Sequence, residues 1–314
     1  MKTKILIIKL GYSETLDPEI ARFPSLGDVM RTTVILHCFK GDDYHVTWLT
    51  DEIAYPLLKG NPYIHRILYF NPTTILQLQA ERFDKVVNLE KVPGICALTD
   101  SINAWSKFGF RFDPETGEAR SYEWSHDAFK IYTEIESKRR ANRVWQAVLF
   151  EMLGQKWTGE TYVLGYKPKS SIIHQVGLNY LVGVKWPNKV WPKEKWDDLH
   201  RKLIEKGYSV SLQQGQNDIE EYMEWITSCE VLVTHDSLGL HIAIALQKKI
   251  VALFGPTSAR ETGLYGLGSA IVPQGEYDCL PCLMPECQKE ESCMNTITVD
   301  RVYREIVKVL NGNH

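Results

Sequence analysis

The sequence predicts an α/β protein of two domains, each built around a mainly parallel sheet. The chain has 314 residues, which is about twice a usual domain length of roughly 150 residues. Short apolar segments alternate with longer segments of helical period in both halves, and this alternation forms parallel strands joined by helical crossovers. A polar stretch without apolar period lies between the halves, so we expect one domain over residues 1–170 and a second over 171–314.

The first half opens with a predicted strand over residues 4–10 and a predicted helix over 27–40. Further strands are predicted at His45 to Leu49, Arg66 to Phe70 and Lys85 to Leu89. Residues 100–130 are rich in aromatic side chains and show no period, so no element is predicted there. Helical spacing returns from Lys138 to Leu153, and Gly154 is placed to end that helix.

The second half repeats the alternation. Its predicted strands are Leu181 to Val184, Tyr208 to Leu212, Val231 to Thr234 and Ile250 to Phe254. Helices are predicted over 193–206 and 217–228, the second with Asn217 and Glu220 at the spacing of a capping box. A final amphipathic helix follows Thr298, which is placed to cap it.

Composition and charge exclude several classes of protein. The net charge is −3 and the sequence pI is about 6.3, so no overall basic field exists to hold a nucleic-acid backbone. No apolar stretch approaches the roughly 20 residues of a spanning helix, and the opening apolar run is too short for an export signal. We therefore expect a cytoplasmic protein without a transmembrane segment, in which Cys38, Cys96 and Cys229 are reduced packing residues.

Two loops place a carboxylate where parallel sheets bind ligands, beyond the carboxyl ends of strands and before helix N-termini. The first loop is Ser25 to Asp28, and the second runs from Thr234 to His241 and contains Asp236. The alternative for either carboxylate is that it only caps the following helix, a role that stabilises a helix by about 1 kcal/mol.

A third segment, residues 185–196, is rich in lysine and tryptophan and follows the first strand of the second half. Lysines at the carboxyl end of a strand can hold a diphosphate. The alternative is a solvated loop whose tryptophans pack against the next helix. Neither the glycine pattern of a dinucleotide site nor a phosphate-binding P-loop is present in the sequence, which argues against hydride transfer and ATP hydrolysis.

These loops belong to a series of ordered motifs. The series consists of Ser25-Leu26-Gly27-Asp28-Val29, Trp186-Pro187-Asn188-Lys189-Val190-Trp191-Pro192, Val233-Thr234-His235-Asp236-Ser237 with His241, Val251-Ala252-Leu253-Phe254-Gly255-Pro256-Thr257-Ser258, and the segment from Cys279 to Met294. It resembles that of glycosyltransferase family 9, the ADP-heptose transferases of lipopolysaccharide core assembly. The resemblance is close over residues 1–50 and 180–311 and weak between them. It implies a GT-B fold, in which two Rossmann-like domains face each other across a cleft, the first binding the acceptor and the second the donor.

The resemblance also implies roles for single residues. The family's catalytic base falls on Asp28, its diphosphate-contacting lysine on Lys189, and its donor-binding loop on Asp236, Ser237 and His241. The N–H groups of Ser237 and Leu238 would help to stabilise the departing diphosphate at a helix N-terminus. An ionised Asp28 would take the proton of the acceptor hydroxyl while the anomeric centre inverts.

No metal is required by this scheme, and the sequence has no Asp-x-Asp pair of the kind that metal-dependent sugar transferases use. Two departures from the family pattern stand out. Leu238 occupies the position where the family usually has a glycine that lets the backbone approach the phosphates. Residues Tyr12 to Pro24 form an insertion with several acidic side chains, which is either a flap facing the acceptor or an ordinary surface loop.

Four cysteines close together, Cys279, Cys282, Cys287 and Cys293, give a C-x2-C-x4-C-x5-C spacing. Four thiolates in one loop can form a structural zinc or iron site, but the outer spacings are not those of a standard zinc ribbon, and reduced packing cysteines are the default interpretation.

A basic run, Lys138-Arg139-Arg140 with Arg143, would suit an anionic lipid headgroup at a membrane surface or an acceptor phosphate. Its alternative is a solvated helix start.

The sequence thus favours an inverting, metal-independent transferase that moves heptose from ADP-heptose to an acceptor hydroxyl. The acceptor is left open among the lipopolysaccharide core, another glycan, a protein and a small natural product. Three alternatives stay open as well: a transferase for another nucleotide sugar, an epimerase or hydrolase on the same scaffold, and a non-catalytic binding protein with this fold.

Overall fold

The computed structural model describes residues 2–12, 24–141, 143–183, 185–213, 218–275 and 277–312. Most of the insertion from Tyr12 to Pro24, with all of its acidic side chains, lies outside the described residues. The chain divides into two compact units, Met1–Tyr166 and Lys167–His314. Each is an α/β unit with a sheet that is wholly or mainly parallel, so the predicted fold class is confirmed.

The first unit is built on a six-stranded sheet. Its strands are β1 (Thr3–Ile8), β2 (Tyr44–Thr50), β3 (Arg66–Tyr69), β4 (Arg82–Asn88), β5 (Asn103–Phe112) and β6 (Ala119–Ser121). They lie in the order β3-β2-β1-β4-β5-β6, and only the β5–β6 pair is antiparallel. β1 is central because residues 5–8 are apolar on both faces and wholly buried, as a strand covered by helices on two sides requires.

The helices of the first unit are α1 (Leu26–Thr32), α2 (Tyr55–Leu58), α3 (Pro72–Ala80), α4 (Pro93–Ser101), α5 (His126–Thr133), α6 (Ile135–Arg140) and α7 (Trp145–Met152). The helix expected over 27–40 is α1 continued by a 3-10 segment, Thr33–Phe39. The prediction of one continuous helix from Lys138 to Leu153 is wrong, because the structure has two separate helices, α6 and α7. α6 buries none of its residues while α7 buries most of its own, so the two segments face different environments. Gly154, at φ +67°, follows α7 as predicted.

The aromatic stretch that showed no period contains β5, β6 and α5. β5 passes close to its neighbour at Gly109, where φ is +90° and the Gly109 N–H donates to the Ser125 hydroxyl at 2.8 Å. A Cβ at this glycine would lie 1.8 Å from the Asn88 carbonyl oxygen of β4. β5 therefore needs a glycine where it pairs with Asn88 of β4.

The second unit is built on a five-stranded sheet. Its strands are β7 (His174–Asn179), β8 (Val210–Leu212), β9 (Cys229–His235), β10 (Lys249–Leu253) and β11 (Gly268–Ile271). They lie in the order β11-β10-β9-β7-β8, and all four pairs are parallel. The strand predicted at Leu181 to Val184 is wrong for residues 181–183, which follow the end of β7 at Asn179, and Val184 lies outside the described residues. Gly177 interrupts the apolar alternation of β7, so the sequence pattern does not reveal this strand. Glycine is favoured at this position because a Cβ would lie 2.5 Å from Cys229 Sγ.

The helices of the second unit are α8 (Lys193–Glu205), α9 (Ile219–Ser228), α10 (Leu238–Ala245), α11 (Ala259–Thr262) and α12 (Val299–Leu310). Thr298 caps α12 as predicted. The cap of α9 is Asp218, one residue after the predicted Asn217, and its carboxylate accepts two backbone N–H groups. Among the described residues, no helix is long and apolar enough to cross a membrane.

Both sheets have a topological switch point, the place where the strand order reverses. In the first sheet it lies between β1 and β4, and in the second between β7 and β9. Ligands of open parallel sheets bind beyond the carboxyl ends of the strands at such points. The residues that follow these four strands are therefore the first place to look for a functional site.

The contact at Gly109 gives a stability test. Gly109→Ala should lower the free energy of unfolding by about 2 to 5 kcal/mol, because the new Cβ meets the Asn88 carbonyl and the backbone keeps a positive φ. Gly154→Ala is the matched control, since its φ is also positive but no atom lies within 4 Å of the new Cβ; it should cost about 1 kcal/mol. Equal losses in urea unfolding would contradict the crowding at β5.

Candidate functional site

A buried group of charges lies at the switch point of the first sheet. Lys9 follows β1, and its ammonium contacts the Asp28 carboxylate of α1. Arg31, one turn further along α1, donates from Nε to the other Asp28 oxygen at 3.0 Å. Lys9 is wholly buried and Asp28 is 2% exposed. The predicted base is therefore held between two cations.

Glu90, which follows β4, completes this group. Its Oε1 atom accepts the backbone N–H groups of Leu10 at 2.7 Å and Gly11 at 2.6 Å. The same oxygen lies 3.3 Å from the Lys9 ammonium. Glu90 is wholly buried, and its Oε2 atom makes no hydrogen bond with the described residues. Lys9 is thus shared by two carboxylates that come from different strand ends.

These contacts fix the charge of each group. Burial alone would raise the pKa of Asp28, but the charges of Lys9 and Arg31 outweigh it and hold this pKa below its ordinary range. Burial alone would lower the pKa of Lys9, but Asp28 and Glu90 outweigh it and raise this pKa. Asp28 is therefore ionised throughout the physiological range.

The neighbouring Lys91 behaves differently. Burial, together with the charges of Lys138 and Lys9, lowers the pKa of Lys91 to about 8. Its ammonium donates to the Tyr132 carbonyl oxygen at 2.9 Å. The Lys91 ammonium therefore loses its proton more readily than that of an ordinary lysine.

Asp28 does not cap its helix, so that alternative interpretation is wrong for this residue. The N-cap of α1 is Ser25, whose hydroxyl accepts the Asp28 N–H at 3.4 Å. Gly11 accepts the Ser25 N–H at 2.8 Å, and a Cβ on Gly11 would lie 2.8 Å from the Ser25 backbone. This close approach places the start of α1 beside the end of β1 and leaves the Asp28 side chain free to meet Lys9.

A second group of charges lies at the switch point of the second sheet. The Lys189 ammonium donates to the Asp236 carboxylate at 3.0 Å and to the Asp236 carbonyl at 2.9 Å. It also lies 4.9 Å from the centre of the Trp186 ring. His241 Nε2 is 3.8 Å from the other Asp236 oxygen. The sequence-predicted Lys189, Asp236 and His241 are thus brought together, and Asp236 pairs with Lys189 instead of capping α10.

Burial alone would raise the pKa of Asp236, but the charges of Lys189 and His241 outweigh it and hold this pKa below its ordinary range. α10 begins at Leu238, directly after Ser237, whose side chain makes no capping hydrogen bond. The N-terminus of a buried helix therefore lies beside a buried ion pair, an arrangement that favours an anionic ligand.

Leu238 takes the place of the family's glycine, but the close approach in this loop is made at Gly239. A Cβ on Gly239 would lie 2.3 Å from the Tyr222 hydroxyl and 2.4 Å from Asn179 Nδ2. Tyr222 donates to Asn179 Oδ1 at 2.9 Å, and Asn179 Nδ2 donates to the Thr234 hydroxyl at 2.7 Å. Gly239 therefore allows α10 to pack closely against a polar network at the end of β7.

His235, at the end of β9, holds the lysine segment in place. Its Nε2 atom accepts the Trp191 N–H at 2.9 Å, and the Trp196 ring lies edge-on to it at 5.3 Å. Burial and then the charge of Lys189 lower the pKa of His235 to about 3, so the ring is neutral. Trp191 and Trp196 are core residues of the second unit, which means that the expected tryptophan packing coexists with a buried Lys189.

Several buried polar atoms near this ion pair make no hydrogen bond with the described residues. They are Trp186 Nε1, Asn188 Oδ1, Gln213 Oε1 and His235 Nδ1. These side chains are buried and follow the carboxyl ends of β7, β8 and β9. Because buried polar atoms in folded proteins are nearly always bonded, we expect ordered water or a polar ligand to bond the ones at this sheet edge.

The cysteine segment, residues 279–294, contacts Asn188, which precedes Lys189. The Asn188 N–H donates to the Pro285 carbonyl at 3.0 Å, and Asn188 Nδ2 lies 3.6 Å from Cys282 Sγ. Burial, and then the neighbouring Cys282, Cys287 and Cys279, raise the pKa of Cys293 to about 11. Within the described ranges, no three His, Cys, Asp or Glu side chains are arranged to hold a metal ion.

The basic run of the first unit lies on and just after helix α6, which is half-buried to exposed. Arg139 and Arg140 pair with Glu136 at 2.9 and 4.0 Å, and Arg143 pairs with Glu151. Each pair has at least one exposed partner, and ion pairs that water reaches add little stability.

Comparison with known sequences and structures decides the family. The sequence model of glycosyltransferase family 9 (heptosyltransferase) matches residues 75–223 and 214–292, more than half of the chain. The chain belongs to glycosyltransferase family 9. The match includes Lys189 and Asp236 and covers the middle of the chain, where we expected the weakest resemblance. It begins after Asp28, so it does not bear on the role of that residue.

Among curated relatives, the chain is 27% identical over 118 residues to lipooligosaccharide heptosyltransferase 2 of Campylobacter jejuni, a match that spans 37% of this chain and 37% of that protein. The chain thus aligns with little more than a third of this relative. The fold matches a family 9 glycosyltransferase of Veillonella parvula with a TM-score of 0.65 and 19% identity, covering 99% of this chain and 97% of that one. It also matches ADP-heptose LPS heptosyltransferase II of Escherichia coli, with a TM-score of 0.67 and 16% identity over 99% of both chains. The fold is therefore GT-B.

Sequence reasoning gave no role to Arg31 of α1, nor to Lys9, Glu90, Asn179 and His235. The last four lie at the end of a buried strand at a switch point or within two residues after it. The rule that selected Asp28 and Asp236, a polar side chain at the carboxyl end of a strand, would also have selected Glu90 after the predicted strand Lys85 to Leu89. Lys9 was passed over because it only ended an apolar run.

The charge group of the first unit gives a stability test. Lys9→Met should lower the free energy of unfolding by about 3 to 5 kcal/mol, because it leaves buried carboxylates without their shared cation. Lys308→Met, which removes the exposed pair with Glu305, is the control and should cost less than about 1 kcal/mol. Similar losses for the two variants in urea unfolding would show that the buried pair does not stabilise the fold.

Proposed function

We propose that the chain transfers a heptosyl group from ADP-heptose to an acceptor hydroxyl, with inversion at the anomeric carbon. The first unit would bind the acceptor and the second the donor. The observation that carries the proposal is that each sheet has a buried lysine–carboxylate pair at its switch point, Lys9 with Asp28 and Lys189 with Asp236. Family membership supports the reaction class.

On the donor side, Lys189 would contact the diphosphate, and the N–H groups of Ser237 and Leu238 would face its oxygens. Negative charge grows on the diphosphate as it leaves, and a buried ammonium beside a helix N-terminus stabilises such charge strongly. Asp236 and His241 would accept and donate hydrogen bonds to hydroxyl groups of the donor sugar. The unbonded polar atoms that follow β7, β8 and β9 support a polar ligand at this edge.

On the acceptor side, Asp28 would accept the hydroxyl proton as the new C–O bond forms. The bond from the anomeric carbon to the diphosphate oxygen breaks, and its electron pair leaves with ADP. Because the pKa of Asp28 is held low, the carboxylate is a weak base before the reaction and gains basicity only if its hold on Lys9 or Arg31 loosens. An oxocarbenium-like transition state needs only one such carboxylate.

Heptose is the sugar we propose, because a curated relative and a solved structure that the chain matches are both named heptosyltransferases. A carbohydrate hydroxyl, as in the core of lipopolysaccharide or lipooligosaccharide, is the proposed acceptor class. Transfer from another ADP-sugar at a higher rate than from ADP-heptose would replace the sugar in this proposal and keep the reaction class.

Asp28→Asn tests the base. It keeps an oxygen for Arg31 and should lower kcat by about 10²- to 10⁴-fold, because the amide cannot take the acceptor proton. The measurement is ADP release from ADP-heptose in the presence of heptose-free lipopolysaccharide. Asp84→Asn is the control, since Asp84 lies on β4 and accepts the Lys4 N–H at the opposite end of the sheet. An Asp28→Asn protein with wild-type kcat would remove Asp28 from the mechanism.

Lys189→Ala tests the donor site. The dissociation constant for ADP, measured by calorimetry, should rise about 10- to 100-fold, because a buried charged hydrogen bond to the diphosphate is lost. Lys193→Ala is the control from the same segment; Lys193 is exposed and pairs with Asp197 at 2.7 Å. Unchanged ADP affinity in Lys189→Ala would place the diphosphate elsewhere.

A further inference from the structure

The backbone contacts of Glu90 do not require a carboxylate. Its Oε1 atom accepts two N–H groups, from Leu10 and Gly11, and the oxygen of an uncharged glutamine would accept the same two bonds. Burying an ionised carboxylate is costly unless it meets an opposite charge. The contact that favours a carboxylate over an amide at this position is therefore the third one, with the Lys9 ammonium at 3.3 Å.

Lys9 lies between two carboxylates that compete for it. It contacts Asp28, lies 3.3 Å from Glu90, and approaches the Leu89 carbonyl at 3.5 Å. Arg31 is the second cation on Asp28. This core of the group contains two positive and two negative side chains, so each charge is balanced while Asp28 is ionised.

Protonation of Asp28 would upset this balance. Once the carboxylate becomes neutral, Lys9 loses its nearer partner in a place closed to water, where an unpaired charge is most costly. Among the described residues, Tyr132 and Lys91 also act electrostatically on this site, and neither supplies a replacement negative charge. Burial raises the pKa of Tyr132, which keeps its hydroxyl neutral, and Lys91 adds positive charge.

Glu90 has the capacity to take the ammonium. Its Oε2 atom makes no hydrogen bond with the described residues, although the side chain is wholly buried. A small movement of Lys9 from Asp28 toward Glu90 would give the ammonium both carboxylate oxygens. The same movement would uncover the Asp28 oxygen that Lys9 contacts, and the proposed function needs an uncovered Asp28 oxygen for the acceptor hydroxyl.

We propose that Glu90 is a positioning residue for the transfer reaction, which takes over the Lys9 ammonium when Asp28 binds the acceptor hydroxyl and receives its proton. This inference rests on the proposed function, in which Asp28 is the base. The acceptor O–H bond breaks, its oxygen bonds to the anomeric carbon, and ADP leaves with the electron pair. The proton stays on Asp28, and Glu90 exchanges an ion-pair partner but no proton.

Glu90→Gln tests this inference. The glutamine keeps the acceptor for Leu10 and Gly11, so the variant should fold, as thermal unfolding will check. We expect kcat for ADP release, with ADP-heptose and heptose-free lipopolysaccharide, to fall about tenfold or more while the KM for ADP-heptose stays unchanged. Glu81→Gln is the matched control from the same unit, because it removes a carboxylate paired with Arg66 at 2.7 Å and should leave kcat unchanged.

A double variant separates positioning from general stability. In the Asp28→Asn background there is no base to assist, so adding Glu90→Gln should leave the residual rate unchanged. A fall by the same factor as in the wild type would assign Glu90 a purely structural role and overturn the inference. Wild-type kcat in Glu90→Gln would overturn it as well.

Failure of this inference differs from failure of the proposed function. If Asp28→Asn is inactive and Glu90→Gln is fully active, only the role of Glu90 falls. If Asp28→Asn is fully active, the base itself is wrong. Should Glu90→Gln not fold, Glu90→Asp carries the test: it keeps the charge but moves it from Lys9, so kcat should fall at constant KM, and an unchanged kcat overturns the inference.

Discussion

The contact between the Lys9 ammonium and two buried carboxylates is the interaction on which the first unit's site depends. It joins three segments that are far apart in the chain, the end of β1, the start of α1 and the end of β4. An ammonium with no access to water must be paired, so the ends of these elements are held together by the same charges that would perform chemistry. Asp28 is consequently a carboxylate whose basicity is set by its neighbours and not by solvent.

The second unit repeats the arrangement with different parts. Lys189 comes from a 3-10 turn after β7, Asp236 directly follows β9, and His235 at the end of β9 accepts the Trp191 N–H two residues after Lys189. In both units the parallel topology brings the charges together, because the strand order reverses where they lie. A sheet of this kind places the ends of neighbouring strands at one edge whatever the sequence between them.

Much of this could be predicted from the sequence, and what could not be has identifiable causes. The α/β class followed from the alternation of apolar segments, and Lys189, Asp236 and His241 followed from motifs. β7 was misplaced because Gly177, required by the contact with Cys229, interrupts the apolar pattern. The contact between Glu90 and Lys9 could not be predicted, because the two residues lie 81 positions apart and only the pairing of β1 with β4 brings them together.

A crystal structure of the protein with an unreactive analogue of ADP-heptose and a bound acceptor would test the central claim most directly. The account predicts the acceptor hydroxyl within about 3 Å of an Asp28 oxygen, with the Lys9 ammonium closer to Glu90 than to Asp28. An acceptor hydroxyl bonded to another side chain, with Lys9 still on Asp28, would contradict it.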